Sequence, residues 1–255
     1  MSRVHPSSFA RNTTHSIENV IPAPPHRNME PVASVRDSGY AIHAGILSAN
    51  ECDTLARELS RDSIPRTRAG ARHLMNAPAV RSLACDTRLV GIARAILCSS
   101  AVPFRATLFA KSPDTNWLIP WHQDTALPLA CRFETAGWGP WSEKSGVAYA
   151  HAPAWALSRV VALRIHLDDS EPGNGPLRVI PQSQDRGVLT DEQIRACVNA
   201  QSSVECLTPR GGIVSMRPLI IHASSKALTG EPRRVLHIEY ADSLDLAHGI
   251  RLAVA

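Results

Sequence analysis

The chain has 255 residues, 44% of them hydrophobic and 20% charged, with a formal net charge of +4; these proportions suit a globular protein with one large domain. No window approaches the roughly 18 apolar residues that a membrane-spanning helix needs. Met1–Ala10 lacks the apolar run of a signal peptide, so secretion is not expected, and the charge is too small and scattered to imply a nucleic-acid partner. Of the 27 basic residues only Lys111, Lys144 and Lys226 are lysines. The six cysteines form no C-x-x-C pair, which reads as reduced thiols in a cytoplasmic protein.

Residues 1–36, rich in Pro, Ser, Asn and His without periodicity, read as a flexible tail, and residues 37–255 as one domain. A short strand at Gly39–Ala44 leads to Ser48, which opens a helix with the capping box Ser48-x-x-Glu51. Cys52, Leu55, Ala56 and Leu59 then fall on one helical face. A second helix runs from an Asp86 cap through Leu89, Ile92, Ala93 and Ile96, so residues 45–98 form a helical front. Beyond it the hydrophobic period becomes two. Val102–Lys111, Val160–Leu167, Leu177–Ile180, Ile213–Met216, Leu219–Ser224 and Arg234–Tyr240 read as strands, with one capped helix at Asp191–Ala200. Short strands between Gly/Pro turns predict a mainly β protein, a jelly roll over about 102–242 preceded by α-helices. No dinucleotide fingerprint, phosphate loop or nucleophile elbow occurs.

The chemistry concentrates at Pro120-Trp121-His122-Gln123-Asp124. Residues two apart on a strand share a face, so His122 and Asp124 can supply two ligands of a 2-His-1-carboxylate iron site; a hydrogen-bonded surface pair is the plainer alternative. His222, inside the apolar run Ile220–Ala223, is either a core histidine bonded to a carbonyl or the distal ligand. Arg233 and Arg234 lie eleven and twelve residues further on. A planar guanidinium suits the far carboxylate of a metal-bound 2-oxo acid, and Ser224 shares the face of His222. Alternation along the last strand places Arg233, Val235, His237 and Glu239 on the more polar side, and Arg234, Leu236, Ile238 and Tyr240 on the apolar one. Arg164 and His166 alternate with Leu163, Ile165 and Leu167 and face a pocket, while Lys111 and Asn116 precede the WHQD motif. Residues 125–158 hold Trp138, Trp141, Tyr149, His151 and Trp155 and read as a substrate lid.

The set of WHQD, then Asn174-Gly175-Pro176-Leu177, then His222-x-Ser224 with an arginine eleven residues on, resembles the phytanoyl-CoA dioxygenase family over about Gly39–Ala241. The resemblance implies a double-stranded β-helix and an Fe(II)- and 2-oxoglutarate-dependent oxygenase that uses O2. It implies iron on His122, Asp124 and His222, with the 2-oxoglutarate C5 carboxylate on Arg233 and Ser224; Lys111 and Arg164 are further cosubstrate candidates. Asp124 implies hydroxylation of a small molecule, because related halogenases carry a small residue there. Where the family often reads P-G-S-H, this chain has Pro181-Gln182-Ser183-Gln184. Two rival readings keep the same sheet. One is a cupin-like metalloenzyme with no use for 2-oxoglutarate, and the other a binding module whose histidines are structural.

Overall fold

The computed structural model describes residues 31–60, 70–112 and 115–255. Most of the expected tail lies outside the described residues, but its end does not behave as a tail. Pro31–Ser38 forms helix α1 and buries Val35 completely. Strand β1 (Tyr40–His43) follows, then α2 (Ala49–Leu59), whose capping box is made as expected. The buried residues of α2 are the four of the predicted face, Cys52, Leu55, Ala56 and Leu59. After β2 (Gly70–Ala71) come α3 (Pro78–Ala84) and α4 (Thr87–Leu97), with Asp86 capping α4 by accepting from the Arg88 amide.

The remaining strands are β3 (Val102–Lys111), β4 (Ile119–His122), β5 (Ala126–Leu129), β6 (Trp141–Lys144), β7 (Val147–His151), β8 (Val160–His166), β9 (Leu177–Ile180), β10 (Val204–Glu205), β11 (Ile213–Met216), β12 (Ile221–Ser224) and β13 (Arg233–Ala241). Helices α5 (Ala154–Leu157) and α6 (Asp191–Ala200) interrupt them. The expected strand from Leu219 begins at Ile221, because Leu219 and Ile220 turn the chain and the Ile220 amide donates to the Arg217 carbonyl. A six-stranded sheet runs β1-β11-β8-β13-β3-β2, and a four-stranded sheet β10-β9-β12-β4. Every pairing in both is antiparallel, and together they form the jelly-roll sandwich.

Side-chain alternation divides the large sheet. Leu163, Ile165, Leu167, Leu236, Ile238 and Tyr240 point outward into the apolar layer beneath α1 to α4. Its other face meets the small sheet: Ala162, Val214 and Met216 pack on Leu177, Val179 and Ile220 at one end. At the other end that face carries the buried polar residues Arg164, His166, Arg233, His237 and Glu239. The helices therefore make the large sheet rigid from behind and leave its polar half to form a cavity wall. Helix α6 covers the small sheet through Ile194 and Cys197 against Ile180 and Ile221.

Residues 125–158, the expected substrate lid, have regular structure of their own. They fold into a third sheet, β5-β7-β6, and bury Leu127, Leu129, Tyr149 and Ala150. Trp138 and Trp141 pack edge-on against Phe133 over a separate apolar cluster, which is why the segment can hold its own shape. All six cysteines are free, and no described helix is long and apolar enough to cross a membrane.

Leu236, fully buried between the sheet and the helices, is the sensitive point of this layer. Leu236→Ala is expected to cost about 2–5 kcal/mol in urea unfolding, through lost transfer energy and a residual cavity. Leu228, 89% exposed, serves as the control. Leu228→Ala should stay within about 0.5 kcal/mol of the native chain.

Candidate metal centre

Strands β4 and β12 are neighbours in the small sheet, and their register sets His122 directly opposite His222. The ring centroids are 4.2 Å apart. Each ring is oriented in the same way: Nδ1 lies 2.8 Å from the Pro120 carbonyl in His122 and 2.9 Å from the Ile220 carbonyl in His222. A carbonyl only accepts, so each Nδ1 carries the proton and donates it, and each Nε2 is left with a free lone pair. Both Nε2 atoms face Asp124, at 3.8 Å from Oδ1 for His122 and 3.5 Å from Oδ2 for His222.

Asp124 does not reach this point by strand alternation as expected. Strand β4 ends at His122, and Asp124 stands in the loop, where its amide donates to the Pro218 carbonyl. The residue between them explains how that loop is held. Gln123 is buried, donates to the Leu219 and Gly187 carbonyls, and accepts from the Leu189 amide. With all three bonds made, the loop cannot relax without losing buried hydrogen bonds.

One ligand atom from each of His122, Asp124 and His222 lies within 4.8 Å of the other two. Donors sharing one ion at about 2.1 Å stand about 3 Å apart, so small side-chain movements close the set on a metal. Burial alone would raise the Asp124 pKa. The neighbouring His222, His122, His237 and Arg105 outweigh that effect and hold the carboxyl below its usual range. Burial pushes His222 down to about 4, so its imidazole is neutral at physiological pH, as a metal ligand requires. Two imidazoles bonded through Nδ1 to carbonyls and one carboxylate on one side of an ion fit the facial arrangement that leaves positions open on Fe(II).

Beside the metal centre lies a buried cluster of positive charge. Arg233 donates from Nη2 to the Ser224 hydroxyl at 3.2 Å and from Nε to the Asn174 carbonyl at 3.2 Å. Lys111, opposite Arg233 in the β13–β3 register, donates to Ser224 Oγ at 2.8 Å and also bonds the Ser225 carbonyl. The Ser224 hydroxyl itself donates to the Gly175 carbonyl. Among the described residues neither cation has a carboxylate partner, and Arg233 Nη1, Arg164 Nε and both ring nitrogens of His166 are buried without hydrogen bonds. Burial, and then Arg164, push Arg233 down to about 9; burial, and then Arg233 and Arg164, push Lys111 down to about 7. Such a cluster is built for an anion. The Asn174–Leu177 turn closes against it. Gly175 has a φ of 68°, and a Cβ there would stand 2.4 Å from the Ser225 carbonyl and 3.1 Å from the Lys111 ammonium.

The other expected residues divide. Arg234 leaves the cavity and makes a bidentate pair with Asp168, as the strand's alternation implies. Arg164 reaches His237 Nδ1 at 3.1 Å. Asn116 clamps the loop after β12 through both backbone groups of Ala227. Tyr149 and His151 line the cavity of about 360 Å³ that contains His122 and Asp124. Trp138 and Trp141 do not line it, because they are committed to the apolar cluster beneath the third sheet. In the Pro181–Gln184 turn, Gln182 adopts a φ of 63°, the conformation for which glycine is the natural choice. Ser183 holds the turn by accepting from the Ile221 amide beside His222.

The chain is 28% identical over 178 residues to an L-proline trans-4-hydroxylase of Streptomyces griseoviridis; the match covers 60% of this chain and 59% of that protein. The chain thus spans about three fifths of that relative. Among solved structures, EctD from S. alaskensis with 2-oxoglutarate and 5-hydroxyectoine superposes with a TM-score of 0.63 at 22% identity, covering 82% of this chain and 74% of that one. The carbocyclase SnoK from nogalamycin biosynthesis gives 0.66 at 16%, covering 89% and 86%, and AviO1 from Streptomyces viridochromogenes Tue57 gives 0.60 at 21%, covering 83% and 93%. These likenesses share the jelly-roll fold. The model of the phytanoyl-CoA dioxygenase (PhyH) family matches residues 35–235, so the chain that carries this His-Asp-His centre and its buried arginine belongs to that family.

Proposed function

We propose that this chain is a non-haem Fe(II)- and 2-oxoglutarate-dependent dioxygenase that hydroxylates a small molecule. The observation that carries the reading is the pairing of a preorganised His122-Asp124-His222 set with an uncompensated cation cluster beside it. A cupin-like enzyme without a 2-oxo acid has no use for buried Arg233 and Lys111, and a purely structural role for the histidines does not account for two Nε2 atoms aimed at one carboxylate. The six free thiols suit the cytoplasm.

His122, His222 and Asp124 would hold the metal, and the two carbonyl-bound Nδ1 atoms keep the rings turned toward it. Arg233, with Ser224 and Lys111, would grip the C5 carboxylate and so fix the 2-oxo end at the iron; Arg164 lies on the same wall and adds positive potential. Iron bound there supplies O2 activation, coupling the conversion of 2-oxoglutarate to succinate and CO2 to insertion of one oxygen atom into a C–H bond of the substrate. The protein's part is to orient both reactants and to keep water from the buried anion site. The proline hydroxylase relative and the ectoine-derivative complex support a small polar substrate.

Anaerobic metal titration followed by a succinate-release assay tests the reading. His122→Ala and His222→Ala are expected to lose iron and all 2-oxoglutarate turnover, because two ligands cannot maintain the facial geometry; wild-type turnover in either variant would show the ligand set to be wrong. Arg233→Ala should raise the KM for 2-oxoglutarate about thirtyfold or more, by removing a charge-assisted partner from a carboxylate. Arg234→Ala should leave that KM unchanged and lower thermal stability, since its partner is Asp168. Lys111 gives the pH dependence. Burial and the neighbouring Arg233 and Arg164 lower its pKa to about 7 before the anion binds, so the cation is complete only well below 7, half lost near it, and the affinity for 2-oxoglutarate falls as pH rises through that value. Lys111→Met should bind more weakly and flatten that profile, which calorimetry at several pH values would read.

A further inference from the structure

The cavity in front of the metal centre has a second cationic feature that cosubstrate binding does not use. Its lining includes His122, Asp124, Arg72, Arg105, Lys144 and Tyr149, and it contains none of Arg233, Lys111 or Ser224. Three cations outside the anion cluster therefore line it, Arg72, Arg105 and Lys144. Arg105 is accounted for, since it pairs with the buried carboxylate of Glu239 and donates to the Ala126 carbonyl. Arg72 and Lys144 are different. Among the described residues neither has an acidic partner, and the one carboxylate lining the cavity is Asp124, which the metal would neutralise.

Their placement comes from two separate parts of the chain. Arg72 directly follows β2, whose Gly70 and Ala71 pair with Phe109 and Leu108 of β3. Lys144 ends β6 and pairs with Val147 across the two-residue turn Ser145–Gly146, where φ is 50° and 79°. Positive φ at both positions marks a tight hairpin turn that fixes the position of Lys144. The ammonium lies 4.6 Å from the centre of the Tyr149 ring, and Tyr149 is in turn held by His73 Nε2 at 3.0 Å from its hydroxyl. Lys144 is held below its ordinary pKa by burial and then by Arg72 and Arg105, so these cations crowd one another. Cations gathered on one cavity, whose one lining carboxylate belongs to the metal set, are relieved by an anionic ligand. Lys111 and Lys144 are two of only three lysines in the chain, one in the anion cluster and the other in the cavity lining.

We propose that the prime substrate is an acidic small molecule, whose carboxylate or phosphate is held by Arg72 and Lys144 while its reacting carbon faces the metal. The inference rests on the oxygenase reading and names the substrate class for that same site.

The test uses three probes of one shape, benzoate, benzamide and phenyl phosphate, titrated by ligand-observed NMR into the full chain. It is run metal-free and with Fe(II) and 2-oxoglutarate under argon. Benzoate is expected to bind about tenfold or more tightly than benzamide. That preference should fall severalfold in Arg72→Gln and in Lys144→Gln and vanish in the double variant, while 2-oxoglutarate affinity stays as in the native chain. Phenyl phosphate bound more tightly than benzoate would assign a phosphate-bearing substrate, and the reverse a carboxylate. Benzoate bound no better than benzamide, or a preference that survives in the double variant, would overturn the proposal. Failure of the oxygenase reading shows separately, as an absence of 2-oxoglutarate binding in every arm.

Discussion

Uncompensated positive charge inside the sandwich is the constraint on which the rest of the structure depends. Arg233, Lys111 and Arg164 are buried on neighbouring strands of the large sheet and repel one another, yet among the described residues none has a carboxylate partner. Burying a cation costs several kcal/mol unless a partner offsets it, roughly the scale of a whole domain's net stability. A fold tolerates such an arrangement where a ligand completes it. The lowered proton affinities of Lys111 and Arg233 record the same tension.

The surrounding architecture serves to hold that arrangement still. Helices α1 to α4 bury the outer face of the large sheet, so β8 and β13 cannot turn their charged residues outward without exposing Leu163, Leu236 and Ile238. On the opposite sheet, Gln123 and Ser183 bond the backbone around the two histidines. Gly175 lets the Asn174–Leu177 turn approach Lys111 closely enough to seal the anion site. The Gln123 and Ser183 bonds are to backbone, which fixes the chain on either side of the histidines.

Much of this was legible in the residues. Helix faces and capping boxes predicted α2, α4 and α6, because local periodicity and side-chain-to-backbone bonds decide those elements. Alternation in β13 separated Arg233 from Arg234, because one face of that strand lies under helices. Helix α1 was not legible, since eight residues with one buried apolar side chain, Val35, carry no periodic signal. The third sheet was missed for a related reason. Its strands are four or five residues long and are joined by Gly/Pro turns, so aromatic composition outweighed pattern. The position of Asp124 followed from a loop anchored by Gln123, and such long-range bonding has no local signature. Arg72 and Lys144 were illegible as a pair because only the third sheet's folding brings the hairpin to the end of β2.

The most direct measurement of the central claim is a crystal structure of the chain soaked anaerobically with Fe(II) and 2-oxoglutarate. The account predicts one metal on Nε2 of His122, Nε2 of His222 and the Asp124 carboxylate, with the far carboxylate of 2-oxoglutarate on Arg233, Ser224 and Lys111. A metal bound by other residues, or a 2-oxoglutarate carboxylate lying away from Arg233, would contradict it.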